Sequence, residues 1–280
     1  MSGKNLATFE AAHGQPKIRA MERALAAERK KVEALADVQG HITVERGADN
    51  RRRFGIIGDT HVGSLYFHEG ALEGFFRYAR EESCERIYVA GDVLDGHRVY
   101  KGQEFELRDI GLDAQVERLS DVTKALPKIP VSFITGNHDQ SFKSLAGAPV
   151  GKLIEQATGW TFLGEEQARV EFTLPAGKFS LMLLHPGGGT SYALSYRPQK
   201  IVESLEGGTK PDLLAIGHYH KAEFIPSYRN VAVLQGGTFQ RQTPFMARQG
   251  LAAHVGGWIV DVTKGDGHNV VQAKFVAFYV

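Results

Sequence analysis

Five apolar stretches of this chain each end in side chains that bind metals or move protons. FGIIG (54–58) leads into Asp59 and His61, and RIYVAG (86–91) leads into Asp92 and Asp95. VSFITG (131–136) leads into Asn137, His138 and Asp139. KFSLMLL (178–184) ends at His185, and DLLAIG (212–217) runs into His218 and His220. A single Asp at a strand end is usually a turn or cap residue, and a single His there is usually a hydrogen-bonded structural residue. Five such endings in succession, each preceded by glycine or a long apolar run, exceed coincidence.

The chemistry these types share is cation binding. Carboxylate, imidazole and amide oxygen together suit manganese, iron or zinc better than the all-oxygen sites of calcium or magnesium. Seven candidates, Asp59, His61, Asp92, Asn137, His185, His218 and His220, are more than one tetrahedral ion requires. They fit two ions sharing a carboxylate. In extended backbone the D-x-H and H-x-H spacings would point both side chains of each pair to the same face.

The ordered series D-x-H, GD-x-x-D, GNHD, H and GH-x-H resembles the calcineurin-like metallophosphoesterases, from Phe54 to His220. The resemblance implies an α/β fold, a four-layer α-β-β-α sandwich of two mixed sheets flanked by helices. It implies that Asp59, His61 and His220 hold one divalent ion, that Asn137, His185 and His218 hold another, and that Asp92 bridges them. Manganese is the expected metal, with iron, zinc or nickel as alternatives. His138 would act on the phosphoryl oxygens or leaving group, while Asp95 and Asp139 would orient histidines and ligands. A metal-activated water would attack phosphorus in line.

The substrate is less sharply drawn. The preferred reading is a phosphodiesterase or nuclease acting on DNA or RNA. Alternatives are a phosphatase or pyrophosphatase on a small nucleotide, or a non-catalytic metal-binding subunit of a nucleic-acid enzyme, as occurs among polymerase accessory subunits. His97, Tyr192 and Arg197 are candidate substrate contacts, since aromatic and basic residues interleave near them. The tract Pro186–Gly189 after His185 reads equally as a substrate loop or a tight turn.

These residues need strands to aim them. Short apolar runs alternate with helical patterns such as HEGALEGFFRYAREE, LDAQVERLSDVTKAL and VGKLIEQATG, which argues for βαβ units. ARVEFTL, KFSLMLLHP, DLLAIGH, NVAVLQGG, GGWIVDV and AKFVAFYV read as strands of a second sheet. Residues 51–280 are therefore expected to form the metallophosphoesterase domain. Residues 1–50 form an extension whose segment Pro16–Ala36 carries Ile18, Met21, Leu25, Val32 and Leu35 at helical spacing. That helix docks on its own domain or serves a protein partner or a second copy.

Composition sets the outer limits. Lys plus Arg total 33 against 32 Asp plus Glu, so no global basic field marks the chain for nucleic acid,. A local basic groove stays open, and Arg51–Arg53 is the densest basic tract. The single cysteine, Cys84, forms no internal disulfide and suits a reducing cytoplasm,. No apolar run approaches the roughly 18–20 residues that span a bilayer, and the first residues lack the apolar core of a secretory signal. A cytoplasmic protein without membrane contact is expected.

Overall fold

The computed structural model describes residues 42–279. The helix expected within residues 16–36 lies outside them. In chain order the first elements are β1 (Ile42–Arg46), β2 (Arg51–Ile57), α1 (Glu69–Glu81), β3 (Ile87–Ala90), α2 (Leu112–Ala125) and β4 (Val131–Thr135). Next come α3 (Asn137–Ala146), α4 (Val150–Thr158), β5 (Thr161–Glu165), β6 (Gln167–Leu174) and β7 (Gly177–Leu184). The chain continues through α5 (Tyr196–Ser204), β8 (Leu213–Ile216), β9 (Ala222–Tyr228), β10 (Val231–Gly236), α6 (Pro244–Arg248), β11 (Gly256–Gly265) and β12 (His268–Ala277).

The strands form two six-stranded mixed sheets, ordered β12-β11-β2-β3-β4-β5 and β1-β6-β7-β8-β10-β9. In the first, β2, β3, β4 and β5 run parallel, as crossovers through α1, α2 and α4 demand, and β11 pairs antiparallel with β2,. Alternation along the strands sends side chains to two different cores. Phe54 and Ile56 of β2, Tyr88 of β3 and Ile134 of β4 meet Val170, Phe172, Phe179 and Leu181 of the other sheet. Phe54 and Phe172 stack there with centroids 5.7 Å apart.

The opposite faces bury helices. Ile57, Ile87, Val89 and Phe133 pack under Leu72, Phe75 and Phe76 of α1, Leu119 of α2 and Ile154 of α4. On the far side, Leu214, Ile216, Val231 and Val233 pack against Val202 of α5. Three cores separate four layers, helices outside and sheets within, as the motifs imply.

Three features depart from the reading of the sequence. β1 pairs in parallel with β6 over Ile42–Arg46, so the sheet takes in residues that precede the expected start at 51. β5 and β9 were not expected as strands. β9 carries Pro226, and both lie at sheet edges, where a missing or unpaired N–H is tolerated. α3 begins within the GNHD motif itself. Its buried residues are only Asp139 and Phe142, too few to draw an apolar helical stripe.

Candidate metal centre

The loops that leave the carboxyl ends of β2, β3, β4, β7 and β8 converge, three from one sheet and two from the other. Asp59, Asp92 and His185 are buried. Three clusters bring ligand atoms within 4.8 Å of one another: Asp59 with His61 and His220, His61 with Asp92 and His138, and Asp92 with His185 and His218. Asn137 joins the last cluster, its Oδ1 3.0 Å from His185 Nε2 and 2.9 Å from His218 Nδ1. All seven sequence candidates for metal ligation thus meet in one place.

The backbone route to this arrangement was not legible. Extended geometry was expected for the i, i+2 pairs, but β2 ends at Ile57 and β8 at Ile216. Among the described residues ten non-glycine residues have positive φ, and five of them are Asp59, His61, Asp92, His218 and His220. Such conformations cost on the order of 1–3 kcal/mol each and persist where the surroundings over-determine them. Asp and His tolerate this region better than most residues. The pairs converge because the chain curls, not because it is pleated.

Several groups hold the curl in place. His61 N–H donates to the Asp92 carbonyl (3.0 Å) and Asp59 N–H to that of Gly91 (3.1 Å). His218 N–H donates to both carboxylate oxygens of Asp59, at 2.8 and 3.0 Å. Gly217 sits so close to the other sheet that a Cβ there would lie 2.1 Å from the Ala90 carbonyl oxygen. Among the described residues the Asp139 carboxylate makes no hydrogen bond to a histidine. It accepts the backbone N–H groups of Val93, Leu94 and Gly136, which ties the GDVLD loop to the start of α3.

The imidazoles are oriented one nitrogen at a time. His61 Nδ1 faces the Asp95 carboxylate at 2.9 Å. His185 Nδ1 lies 2.8 Å from the Ala90 carbonyl, His218 Nε2 2.6 Å from that of Gly188, and His138 Nδ1 2.6 Å from that of Asp95. A carbonyl only accepts, so each of these nitrogens donates, and the other nitrogen is left as an electron-pair donor toward the centre. His61 Nε2 and His220 Nε2 face each other at 3.0 Å, and the buried Nδ1 of His220 has no hydrogen-bond partner among the described residues.

Charge points the same way. Asp59, Asp92, Asp95 and Asp139 are all buried, yet among the described residues none forms an ion pair with Lys or Arg. Burial opposes a charged His185, but Asp92 and Asp59 outweigh it and raise the imidazole to about 10 in the metal-free chain. Burial, reinforced by the charge on His185, lowers His218 to about 4, and burial holds His220 well below the usual range. His218 and His220 are thus neutral imidazoles, while His185 keeps a proton that the Asp92 and Asp59 carboxylates stabilise. The donors of the site fit divalent ions of the manganese, iron or zinc type.

The centre floors a cavity of about 510 Å³. His138, Asn137, His218, His220, Gly188 and Thr190 line it, so the glycine tract after His185 contributes to its wall. The three weak substrate candidates do not line it. His97 faces a neighbouring hollow, Tyr192 is fully exposed, and Arg197 braces the loop by donating to the Gly187 carbonyl (3.0 Å) and the Tyr219 hydroxyl (3.2 Å). The opposite wall is Gln240, Thr243, Phe245, Met246 and Gln249, which the sequence reading passed over. The signal available was Gly236-Gly237 closing the strand NVAVLQ, the same glycine ending that marks the other loops.

The Arg tract is elsewhere. It occupies the start of β2, about 20 Å of strand away from Asp59,. Arg51 and Arg53 pair with Asp261 at 2.8 and 2.9 Å, and Arg52 with Glu85 at 3.6 Å. Cys84 is buried, which pushes its thiol up to about 12, so it is no thiolate nucleophile.

A family profile described as a calcineurin-like phosphoesterase superfamily domain matches residues 53–252, well over half of the chain. The chain belongs to that superfamily. It is 28% identical over 244 residues to the DNA polymerase II small subunit of Methanocaldococcus jannaschii, covering 70% of this chain and 40% of that one. It is 26% identical over 257 residues to the subunit of the same name from Archaeoglobus fulgidus, covering 75% and 51%. The chain thus spans about half or less of these curated relatives. A solved structure of GAP50, the anchor in the inner membrane complex of Plasmodium, superposes with a TM-score of 0.47 at 14% identity, covering 82% of this chain and 85% of that one. No helix among the described residues is long and apolar enough to cross a membrane.

Proposed function

We propose that the chain hydrolyses phosphodiesters of nucleic acid with two divalent ions, manganese first among them. The observation that carries this is the buried cluster of carboxylates and singly oriented imidazoles, without a Lys or Arg partner among the described residues, opening onto a cavity. Asp59, His61 and His220 would hold one ion, Asn137, His185 and His218 the other, and Asp92 both. When bound, the ions supply positive charge to phosphoryl oxygens and lower the pKa of an attacking water.

The protein's own groups do the rest. His138 lines the cavity with Nδ1 donating to the Asp95 carbonyl, which leaves Nε2 to hold or deliver a proton at a leaving oxygen. Asp95 keeps His61 in one tautomer, and Asp139 fixes the loops that carry Asp92 and Asn137. Asp92 also accepts the His138 backbone N–H at 2.8 Å, so the shared ligand and the proton carrier are positioned together.

The names of the curated relatives support a second reading, in which the chain is a subunit of a nucleic-acid enzyme and works beside a protein partner. Under this reading the helical pattern of Pro16–Ala36, ahead of β1, would serve the protein partner. One experiment separates the two. Hydrolysis of bis-p-nitrophenyl phosphate is measured with Mn2+, together with metal content, for the wild type and Asp92→Ala. Turnover lost in Asp92→Ala along with bound metal supports the enzyme. Two ions bound without turnover of any phosphodiester supports the subunit, and Asp92→Ala with full activity removes the metal assignment.

A further inference from the structure

The cavity has two unlike sides. One is the ligand cluster, and the other is apolar and aromatic: Val99, Tyr100, Phe245, Met246 and Leu251. Tyr100 and Phe245 come from separate segments, yet their rings stack with centroids 4.5 Å apart and planes 24° from parallel. One buried carboxylate pins both. Glu106 accepts the Tyr100 hydroxyl at 2.8 Å through Oε2 and the Phe245 backbone N–H at 3.2 Å through Oε1. The Tyr100 ring centroid lies 6.3 Å from that of His138.

A phosphate alone needs none of this. We propose that the Tyr100–Phe245 wall seats the base of a nucleotide whose phosphate lies over the ligand cluster, with Glu106 as the residue that positions the wall. The inference rests on the phosphoesterase reading for where the phosphate goes. A base is separated from its own 5′-phosphate by one sugar, which suits an aromatic wall beside His138 rather than against it. Rigid aromatic faces accept any base by stacking.

The surroundings favour a base over an acyl chain. Gln249 lines the wall with its side-chain amide free of hydrogen bonds among the described residues, able to meet a base edge,. Arg98, Lys101, Arg241 and Arg248, all exposed and without an ion-pair partner among the described residues, neighbour the wall in sequence. Arg98 and Lys101 line an adjoining hollow of about 460 Å³ that shares Val99 and Tyr100 with the main cavity. Apolar faces for bases and unpaired cations for phosphates lie side by side, as single-stranded nucleic acid requires.

The test is a titration of adenosine 5′-monophosphate and of ribose 5-phosphate into the Mn2+-loaded protein. The wild type is expected to bind the nucleotide about tenfold more tightly, the worth of one stacked base. Phe245→Ala and the volume-keeping Phe245→Leu should each bring the ratio near one while leaving ribose 5-phosphate binding unchanged. Equal wild-type affinities, or a preference that survives in a folded Phe245 variant, overturns the proposal. Hydrolysis of bis-p-nitrophenyl phosphate by the same preparations reports separately on the phosphoesterase reading. A preparation silent there that still prefers the nucleotide loses the reaction and keeps the base site.

Discussion

His138 and His61 are neighbouring imidazoles held in different ways. Their rings meet edge to face at 4.5 Å, and Asp95 addresses both, His61 through its carboxylate and His138 through its carbonyl. His138→Gln should reduce kcat by about a hundredfold or more and leave the bound metal at two equivalents. Activity assays beside metal analysis of the purified variant check both halves, and a parallel loss of metal would make His138 a ligand. At this scale the sequence disclosed which side chains converge, because residue types and spacing at the strand ends mark them. It hid Glu106, Gln240 and Phe245, whose types are ordinary and whose partners lie 139 or more residues distant for Glu106–Phe245 and Gln240–Asp95.

Asp139 shows what an element-level tie contributes. Its carboxylate gathers three buried backbone N–H groups, and burial followed by the charge of Asp92 raises it to about 7. Asp139→Ala would strand those donors at about 1–3 kcal/mol apiece. Denaturant titration should show a loss of several kcal/mol, and Asp139→Asn, which keeps one oxygen, should lose less. Equal stability of wild type and Asp139→Ala would remove this bracing role. Strands and long helices were readable from period and length, since β3, β4 and β8 are unbroken apolar runs. The helix starting at Asn137 and the left-handed turns at Asp59 and Asp92 were not, because tertiary hydrogen bonds rather than local propensity create them.

At the scale of the described body, β2 links two unlike charge environments. Arg51–Arg53 are answered by Asp261 and Glu85 at one end of β2, while the carboxylates at the other end have no Lys or Arg partner among the described residues. Occupancy by Mn2+ should therefore raise thermal stability: about 2.7 kcal/mol for one ion at a hundred times its Kd, or about 5–10 °C for a chain of this size. Melting with Mn2+ against melting with EDTA measures it, and coincident curves would mean no ion binds the native state. The four layers were legible from strand order and motif. The place where the sheets join was not, since no local pattern announces that Gly217 of one sheet must abut Ala90 of the other. That join has a mechanical consequence. His185 holds the Ala90 carbonyl, His218 holds the Asp59 carboxylate, and Phe239 and Thr238 both hold the Asp59 carbonyl, each bond crossing from sheet to sheet. The candidate metal centre is also the clasp of the two sheets, so a substitution among its side chains alters the join between them as well.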